Sequence, residues 1–146
     1  MTYSTAFKNI DKRTVEATKK LIKSGFWKKD VSTEYKVKIC NEWLETVSEV
    51  YGIEVPEFRF DTSEVMYMQT GGGYYEPWAK RITLFKKFSL VTFLHEFRHH
   101  MQHEMELSLF RRNHEEDARG WSVSLFKKAT PKSYKNAVEK GLLHFS

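Results

Sequence analysis

The chain is poor in the residues that cross-link or break a fold. Its 146 residues include one cysteine, three prolines and seven glycines. The single cysteine, Cys40, cannot form a disulfide within the chain, which favours a reducing compartment. Its place in an apolar helical pattern predicts a small core residue. With 40% hydrophobic and 15% aromatic residues, the composition predicts a globular protein with an aromatic-rich core and argues against a disordered one.

Long apolar runs are also missing. No segment approaches the roughly eighteen consecutive apolar residues of a membrane span, and the N-terminal sequence MTYSTAFKNIDKR lacks the apolar region of a secretory signal. We therefore predict a cytoplasmic protein without a membrane partner. The net charge of +5 permits contact with nucleic acid or acidic surfaces. Because the lysines are dispersed along the chain, a nucleic-acid partner is only weakly supported.

The pattern of apolar residues predicts a single α+β domain over residues 1–146, without repeats or linkers. Apolar residues recur every three or four positions at both ends of the sequence, as in amphipathic helices. The predicted helices span residues 11–24, 32–51, 90–108, 114–128 and 130–141. Glycine follows the first and second of them and ends the last, as is typical of helix ends. Thr130-Pro131 opens the last helix, as is typical of helix starts.

The period of the apolar residues changes between Gly52 and Phe88. The segments EFRFD, VMYMQ, GGYYEP and KRITLF are rich in strand-forming residues, and EFRFD places Phe58 and Phe60 on one face. These segments predict a small sheet between the two groups of helices. We expect it to be mostly antiparallel, with a mixed sheet as the alternative. For the glycine triplet at 71–73 we favour a turn over a close approach of another backbone.

The helix predicted over residues 90–108 contains HEFRH, an H-E-x-x-H motif for which the composition predicts roughly 0.02 chance matches. His95 and His99 lie four residues apart, so their side chains share one helix face and can converge on one metal ion. Glu96 lies about 100° around the axis, where it can reach a water on the metal without being a ligand. The pattern is typical of a catalytic Zn²⁺ site with Glu96 as general base.

The alternative is a solvent-exposed surface helix whose polar face includes the histidines but binds no metal. An apolar ridge at four-residue spacing instead favours a helix packed on the sheet. The ridge consists of Phe93, Phe97, Met101 and Met105. His100 and His103 need no role as ligands, because their angular positions predict that they are exposed or lie behind the ligands.

A third metal ligand must come from another element, and the segment NHEEDARGWSVSLF offers three candidates. If Asn113 is the N-cap of the next helix, Glu116 occupies position N3, where a carboxylate reaches back to the cap. Glu115 instead lies on the face expected to pack inward. That face continues with Ala118, Ser122 and Leu125. We favour Glu115 as the ligand, and Glu116 and His114 remain the alternatives.

HEFRH followed by EEDARGW resembles the zincin metallopeptidases of the gluzincin type. In that family H-E-x-x-H on one helix is completed by a glutamate on the next, often in an E-x-x-A setting, which residues 115–118 match. The upstream segment GGGYYEPWAKRITLF is similar to the strand along which zincins bind substrate. The resemblance covers about residues 71–128 and implies a zincin-like fold, zinc and peptidase activity. In its small size and helical N-terminal part, the chain is most similar to members of the ImmA/IrrE-like or SprT-like families.

The chain departs from the family pattern at one position. Many gluzincins carry an aspartate directly after the alanine, where it orients a ligand histidine, whereas this chain has Arg119. The sequence therefore does not identify the residue that orients the histidines. SprT-like proteins use a third histidine as ligand, which would favour His114.

We expect a zinc-dependent peptidase whose protein or peptide substrate binds as an extended strand along residues 72–75 or 81–85. Tyr74, Tyr75 and Trp78 are candidates for lining its subsites, with burial in the core as the alternative. The alternative function is a zincin-fold binding or regulatory protein with a structural or vestigial metal site.

Two further features would distinguish these functions. A closed shell of four ligands, with His114 and Glu115 both bound, would favour the binding protein. A peptidase needs a group that stabilises the oxyanion of the transition state. His114, Tyr74 and Tyr134 are the candidates for that group.

Overall fold

A computed structural model of the protein describes residues 10–26, 28, 30–61, 72–85, 89–107 and 111–141. Over these residues the chain is α+β, as predicted, with five helices and a three-stranded sheet. The helices are α1 (Lys12–Lys23), α2 (Thr33–Tyr51), α3 (Leu90–Glu104), α4 (Arg111–Ala129) and α5 (Pro131–Glu139). The strands are β1 (Glu57–Asp61), β2 (Gly73–Glu76) and β3 (Arg81–Phe85). The strand predicted at 65–69 lies outside the described residues.

The first two helices begin and end close to the predicted residues because their caps are encoded locally. The Asp11 side chain accepts a hydrogen bond from the backbone N–H of Arg13 at 2.8 Å, and Ser32 Oγ accepts one from Tyr35 N–H at 3.1 Å. Both bonds satisfy N–H groups that the first turn of a helix leaves unpaired. Gly52 adopts a left-handed conformation, with φ of 65°, and ends α2.

Helix α3 carries the H-E-x-x-H motif and is capped by Ser89, whose Oγ accepts from Thr92 N–H at 3.1 Å. It ends at Glu104, earlier than the predicted 108. Most of the predicted apolar ridge is buried in the core, but Met105 lies past the helix end and is 42% exposed. Trp43 of α2 packs edge-on against two rings of this ridge. These rings are Phe93 and Phe97.

Helix α4 begins at Arg111, three residues before the predicted start. Helix α5 begins at Pro131 after Thr130, as predicted, although the Thr130 side chain makes no capping hydrogen bond. No helix in the described parts of the chain is both long and apolar enough to cross a bilayer.

The described sheet is mixed, which is one of the two predicted forms, but with one parallel and one antiparallel pair it is not mostly antiparallel. The strand order is β1-β3-β2, with β3 parallel to β1 and antiparallel to β2. Strand β2 lies between β1 and β3 in sequence and forms a hairpin with β3, so β3 returns alongside β1 in the same direction. Residues 82–85 are buried on both faces, as expected of a central strand. The predicted substrate edge at 81–85 was therefore wrong, because both edges of β3 are already paired.

Gly73 allows a close approach of two backbones, contrary to the turn that we favoured at this triplet. It lies in β2, and a Cβ added to it would stand 2.6 Å from the carbonyl oxygen of Thr83 and 2.6 Å from Leu84 Cδ2. A side chain at this position would force β2 away from β3. Gly72 lies in a turn and Gly71 lies outside the described residues.

Helix α3 packs between the sheet and α4 in the described structure. It contacts β2 and β3 on one side and α4 on another, while α1 packs on α2 and α4. The motif on α3 therefore lies between β2 of the sheet and α4.

Candidate metal centre

The two histidines of the motif point their Nε2 atoms at each other from one face of α3. His95 and His99 are one helical turn apart, with ring centroids separated by 4.8 Å and Nε2 atoms by 3.2 Å. Both side chains are mostly but not fully buried, at 16% and 17% exposure. This is the convergence that the i, i+4 spacing predicts.

Helix α4 brings Glu115 to the same point. One carboxylate oxygen of Glu115 lies 3.1 Å from His95 Nε2, and the other lies 2.9 Å from His99 Nε2. The three side chains place their donor atoms within 4.8 Å of one another. The residues that face inward on α4 from this position are buried, as the sequence predicted. They are Ala118, Ser122 and Leu125.

These three side chains could hold a small divalent cation. Two imidazole nitrogens and one carboxylate oxygen form a donor set that Zn²⁺ prefers, with bond lengths of about 2.0–2.2 Å. Tetrahedral coordination at such lengths separates ligand atoms by about 3.3–3.5 Å. The two Nε2 atoms are 3.2 Å apart, and each lies 2.9–3.1 Å from a different oxygen of Glu115. With one donor atom taken from each residue, the three atoms lie within 4.8 Å of one another, so side-chain adjustments are needed to reach that spacing.

The charges within the cluster are mutually stabilised. Hydrogen bonds from His95 and His99 lower the pKa of Glu115. Burial acts to lower the pKa of His99, but its hydrogen bonds with Glu115 and Gln102, together with the charges of Glu96 and Glu115, outweigh burial and raise that pKa. A metal competes with protons for the histidine nitrogens, so metal binding is coupled to pH.

Glu96 lies beside the cluster without joining it. It is 7% exposed and lines the same cavity as His95 and His99. Burial raises the pKa of Glu96; the neighbouring histidines oppose this rise and Glu115 adds to it. A carboxylate whose pKa is raised toward the working pH is suited to accept a proton during catalysis.

A cavity of about 750 Å³ opens onto the cluster. Its walls come from β2, the turn after it, α3 and the start of α4. The lining residues are Gly73, Tyr74, Tyr75, Pro77, His95, Glu96, His99, Gln102, His103, His114 and Glu115. Its size is in the range of cavities that bind small molecules or short peptide segments.

The structure separates the three candidates for the third ligand. Since α4 begins at Arg111, Asn113 lies inside the helix and Glu116 is not at position N3, so the capping role predicted for Glu116 was wrong. Glu116 is exposed. His114 lines the cavity but is not among the three side chains that converge. Its Nε2 is buried without a hydrogen-bond partner among the described residues.

His100 is fully buried and links α3 to the rest of the fold. Its Nε2 lies 2.7 Å from the carbonyl oxygen of Glu54, which can only accept, so Nε2 donates. Its Nδ1 therefore accepts from the hydroxyl of Tyr75 at 2.8 Å. Burial lowers the pKa of His100 and raises that of Tyr75. His100 is thus a satisfied core residue, which the sequence did not predict, whereas His103 is exposed as expected.

The sequence analysis also did not predict a buried polar network that contacts Nδ1 of His99. Gln102 Oε1 lies 2.8 Å from His99 Nδ1, and Gln102 Nε2 donates to Asp117 at 2.8 Å. Asp117 is paired with the buried Arg98. The position of Gln102 three residues after His99, on the same helix face, is the one sequence signal that could have indicated it.

The aromatic candidates lie in different places. Tyr74 and Tyr75 line the cavity, whereas Trp78 is 79% exposed in the turn between β2 and β3. Tyr134 lies on α5 with its ring 5.2 Å from Lys127 Nζ, and it is not a lining residue of the cavity. Tyr134 is therefore not placed to stabilise an oxyanion at the cluster.

Strand β2 borders the cavity along its length. It is paired with β3 on one side, and within the described parts of the chain no strand pairs with its other side. Comparisons of the chain with protein-family models, with curated proteins and with solved structures find no match.

Proposed function

We propose that the protein is a zinc-dependent peptidase of the zincin type. The observation that carries the proposal is the convergence of His95, His99 and Glu115 from two helices, with the buried carboxylate of Glu96 beside them. Three protein ligands leave a coordination position open, which is characteristic of catalytic rather than structural zinc sites. The small helical and mixed-sheet architecture is compatible with the zincin-like fold that the motif implies.

His95, His99 and Glu115 would hold the zinc, which when bound would lower the pKa of a coordinated water to near 7 and polarise the carbonyl of the scissile peptide bond. Glu96 supplies the proton transfers. It accepts the proton of the attacking water and then delivers it to the nitrogen of the departing amine, so that it ends the cycle ionised as it began. Burial beside the cluster keeps Glu96 out of bulk solvent while it does so.

The substrate that fits is an extended peptide. One side of β2 is paired with no strand among the described residues. It offers backbone N–H and C=O groups beside the cavity, and an extended chain can add to such an edge as a further strand. Gly73, Tyr74 and Tyr75 would line the bound segment. The edge along β2 is the one of our two predicted binding edges that remains available.

Two of the three candidates for stabilising the oxyanion, His114 and Tyr74, line the cavity. We favour His114, because its Nε2 has no hydrogen-bond partner in the described structure. This atom is buried, so the imidazole would have to turn toward the cavity to reach the substrate. A neutral or protonated imidazole that donates to the developing oxyanion would stabilise the transition state.

The alternative of a binding protein with a closed metal shell receives no specific support. It would require His114 beside Glu115 in the ligand set, whereas three side chains converge and His114 is outside them. The basic net charge remains the single feature in favour of nucleic-acid binding.

Replacement of Glu115 and of its neighbour should have different consequences. We expect Glu115→Ala to weaken zinc binding by more than about 100-fold, because loss of even an outer partner of a ligand costs about 10–100-fold. Glu116→Ala should leave zinc affinity unchanged and alter the free energy of unfolding by less than about 0.5 kcal/mol, as is usual for exposed sites. Competition with a chromogenic chelator measures both affinities. Equal losses of zinc in the two variants would remove Glu115 from the ligand set.

The activity itself is tested with an unfolded protein substrate such as reduced casein. We expect cleavage that stops when zinc is removed by 1,10-phenanthroline and resumes when one equivalent of zinc is restored. The non-chelating isomer 1,7-phenanthroline is the control and should leave cleavage unchanged. Stoichiometric zinc without cleavage of any unfolded substrate would instead favour the binding protein.

A further inference from the structure

We propose that Gln102 is the positioning residue of this metal centre. It holds the proton of His99 on Nδ1, so that Nε2 is free to bind metal, and it fixes α4 so that Glu115 meets both histidines. The inference rests on the proposed zinc site. It is carried by three hydrogen bonds of a side chain that is 6% exposed.

The amide of Gln102 has only one orientation that satisfies its neighbours. Its nitrogen lies 2.9 Å from the carbonyl oxygen of His114 and 2.8 Å from Asp117 Oδ2. Both partners are acceptors, and a primary amide nitrogen has two hydrogens to donate. A flipped amide would place its oxygen against two other oxygens, so the nitrogen must occupy this position.

The orientation of the amide then determines where His99 carries its proton. With the amide nitrogen committed, Gln102 Oε1 faces His99 Nδ1 at 2.8 Å. An amide oxygen can only accept, so Nδ1 must donate its proton. The lone pair of a neutral His99 is consequently on Nε2, the atom that points at His95 and Glu115. Metal ligation by histidine commonly depends on such a partner at the other ring nitrogen.

The same side chain sets the position of α4. The carbonyl that Gln102 binds belongs to His114, the residue directly before Glu115. This contact joins the C-terminal half of α3 to the first turns of α4. It therefore fixes the position of the start of α4 relative to α3, and with it the position of the Glu115 carboxylate relative to the two histidines.

A buried ion pair supports the hydrogen bonds of Gln102 on the side away from His99. Arg98 donates to both oxygens of Asp117, at 2.7 and 3.1 Å, and these side chains are 5% and 0% exposed. A buried ion pair contributes little net stability compared with apolar packing, because both charges must be desolvated. Here the carboxylate also accepts from Gln102, which gives the pair a specific structural purpose. Asp117 thus does the work of the aspartate that the family pattern places two positions later, at Arg119.

The test uses Gln102→Met, which keeps the length of the side chain but removes its donors and acceptor. We expect its zinc affinity, measured by chelator competition, to be about 10–100-fold lower than that of the wild-type protein. The matched control is Thr18→Val, which removes a buried hydroxyl that accepts from Trp43 Nε1 and donates to the backbone of Thr14. This control should lower the thermal midpoint without changing zinc affinity. An unchanged affinity in Gln102→Met would overturn the inference.

A second measurement needs no zinc, and its deciding comparison is made on the wild-type protein alone. In the metal-free wild-type protein, NMR should detect a proton on His99 Nδ1 that exchanges slowly with solvent and lies close to the Gln102 side chain. In folded Gln102→Met it should exchange rapidly. Absence of this slow proton from the wild-type protein would overturn the inference. Failure of the wild-type protein to bind zinc, with the slow proton present, would instead contradict the proposed function.

Discussion

Replacing Glu96 by glutamine is expected to lower the rate of peptide hydrolysis by at least about 100-fold, and by up to about 10⁴-fold, while zinc and fold are retained. The amide has the same shape as the carboxylate but cannot accept a proton from water. Because Glu96 is not among the three converging side chains, its replacement leaves the ligand set intact. Removal of a buried carboxylate whose pKa burial raises should not destabilise the fold.

The matched control for this prediction is Glu116→Gln. It makes the same chemical change at an exposed carboxylate on α4, and it should retain full activity. Turnover of an unfolded protein substrate and zinc content per chain are measured for both variants. Full activity in Glu96→Gln would exclude Glu96 as the general base. Loss of zinc in that variant would mean that Glu96 supports the metal site instead.

Removal of either histidine should abolish stoichiometric zinc binding. His95→Ala or His99→Ala leaves two of the three donors, and the Glu115 carboxylate then loses one of the two partners that lower its pKa. Two flexible donors hold zinc far more weakly than three that a fold has arranged. We expect less than about 0.1 equivalent of zinc after dialysis in each variant, measured by elemental analysis.

The control for the histidine variants is His103→Ala on the same helix. His103 is exposed and belongs to the cavity wall but not to the converging group. It should retain one equivalent of zinc. If both His95→Ala and His99→Ala retained one equivalent as well, the metal would have to bind elsewhere in the chain.

The parts of the site that depend on one helix could be predicted from the sequence. The convergence of His95 and His99 follows from 3.6 residues per turn, and apolar neighbours such as Phe93 and Phe97 indicate which face is buried. Glu115 required an argument about a second helix. The residues that continue its face, such as Ala118, are buried as predicted, because the spacing to Ala118 does not depend on where α4 begins. Glu115 itself is 55% exposed, at the edge of that face.

Features that depend on contacts between distant segments could not be predicted. The alternation of apolar residues in β1 does not encode whether its neighbour runs parallel, so the sequence could not decide between an antiparallel and a mixed sheet. His100 was expected to be exposed or to lie behind the ligands, since nothing in the sequence indicates that Glu54 and Tyr75 would satisfy both ring nitrogens in the core. The role of Gln102 depends on the backbone of α4, which lies twelve residues away at His114.

The location of zinc in crystals of the wild-type protein tests the central claim most directly. Diffraction data collected on both sides of the zinc absorption edge should give one anomalous peak per chain, within about 2.0–2.2 Å of His95 Nε2, His99 Nε2 and a Glu115 carboxylate oxygen. A peak at other side chains, or no peak in crystals grown with equimolar zinc, would contradict the account.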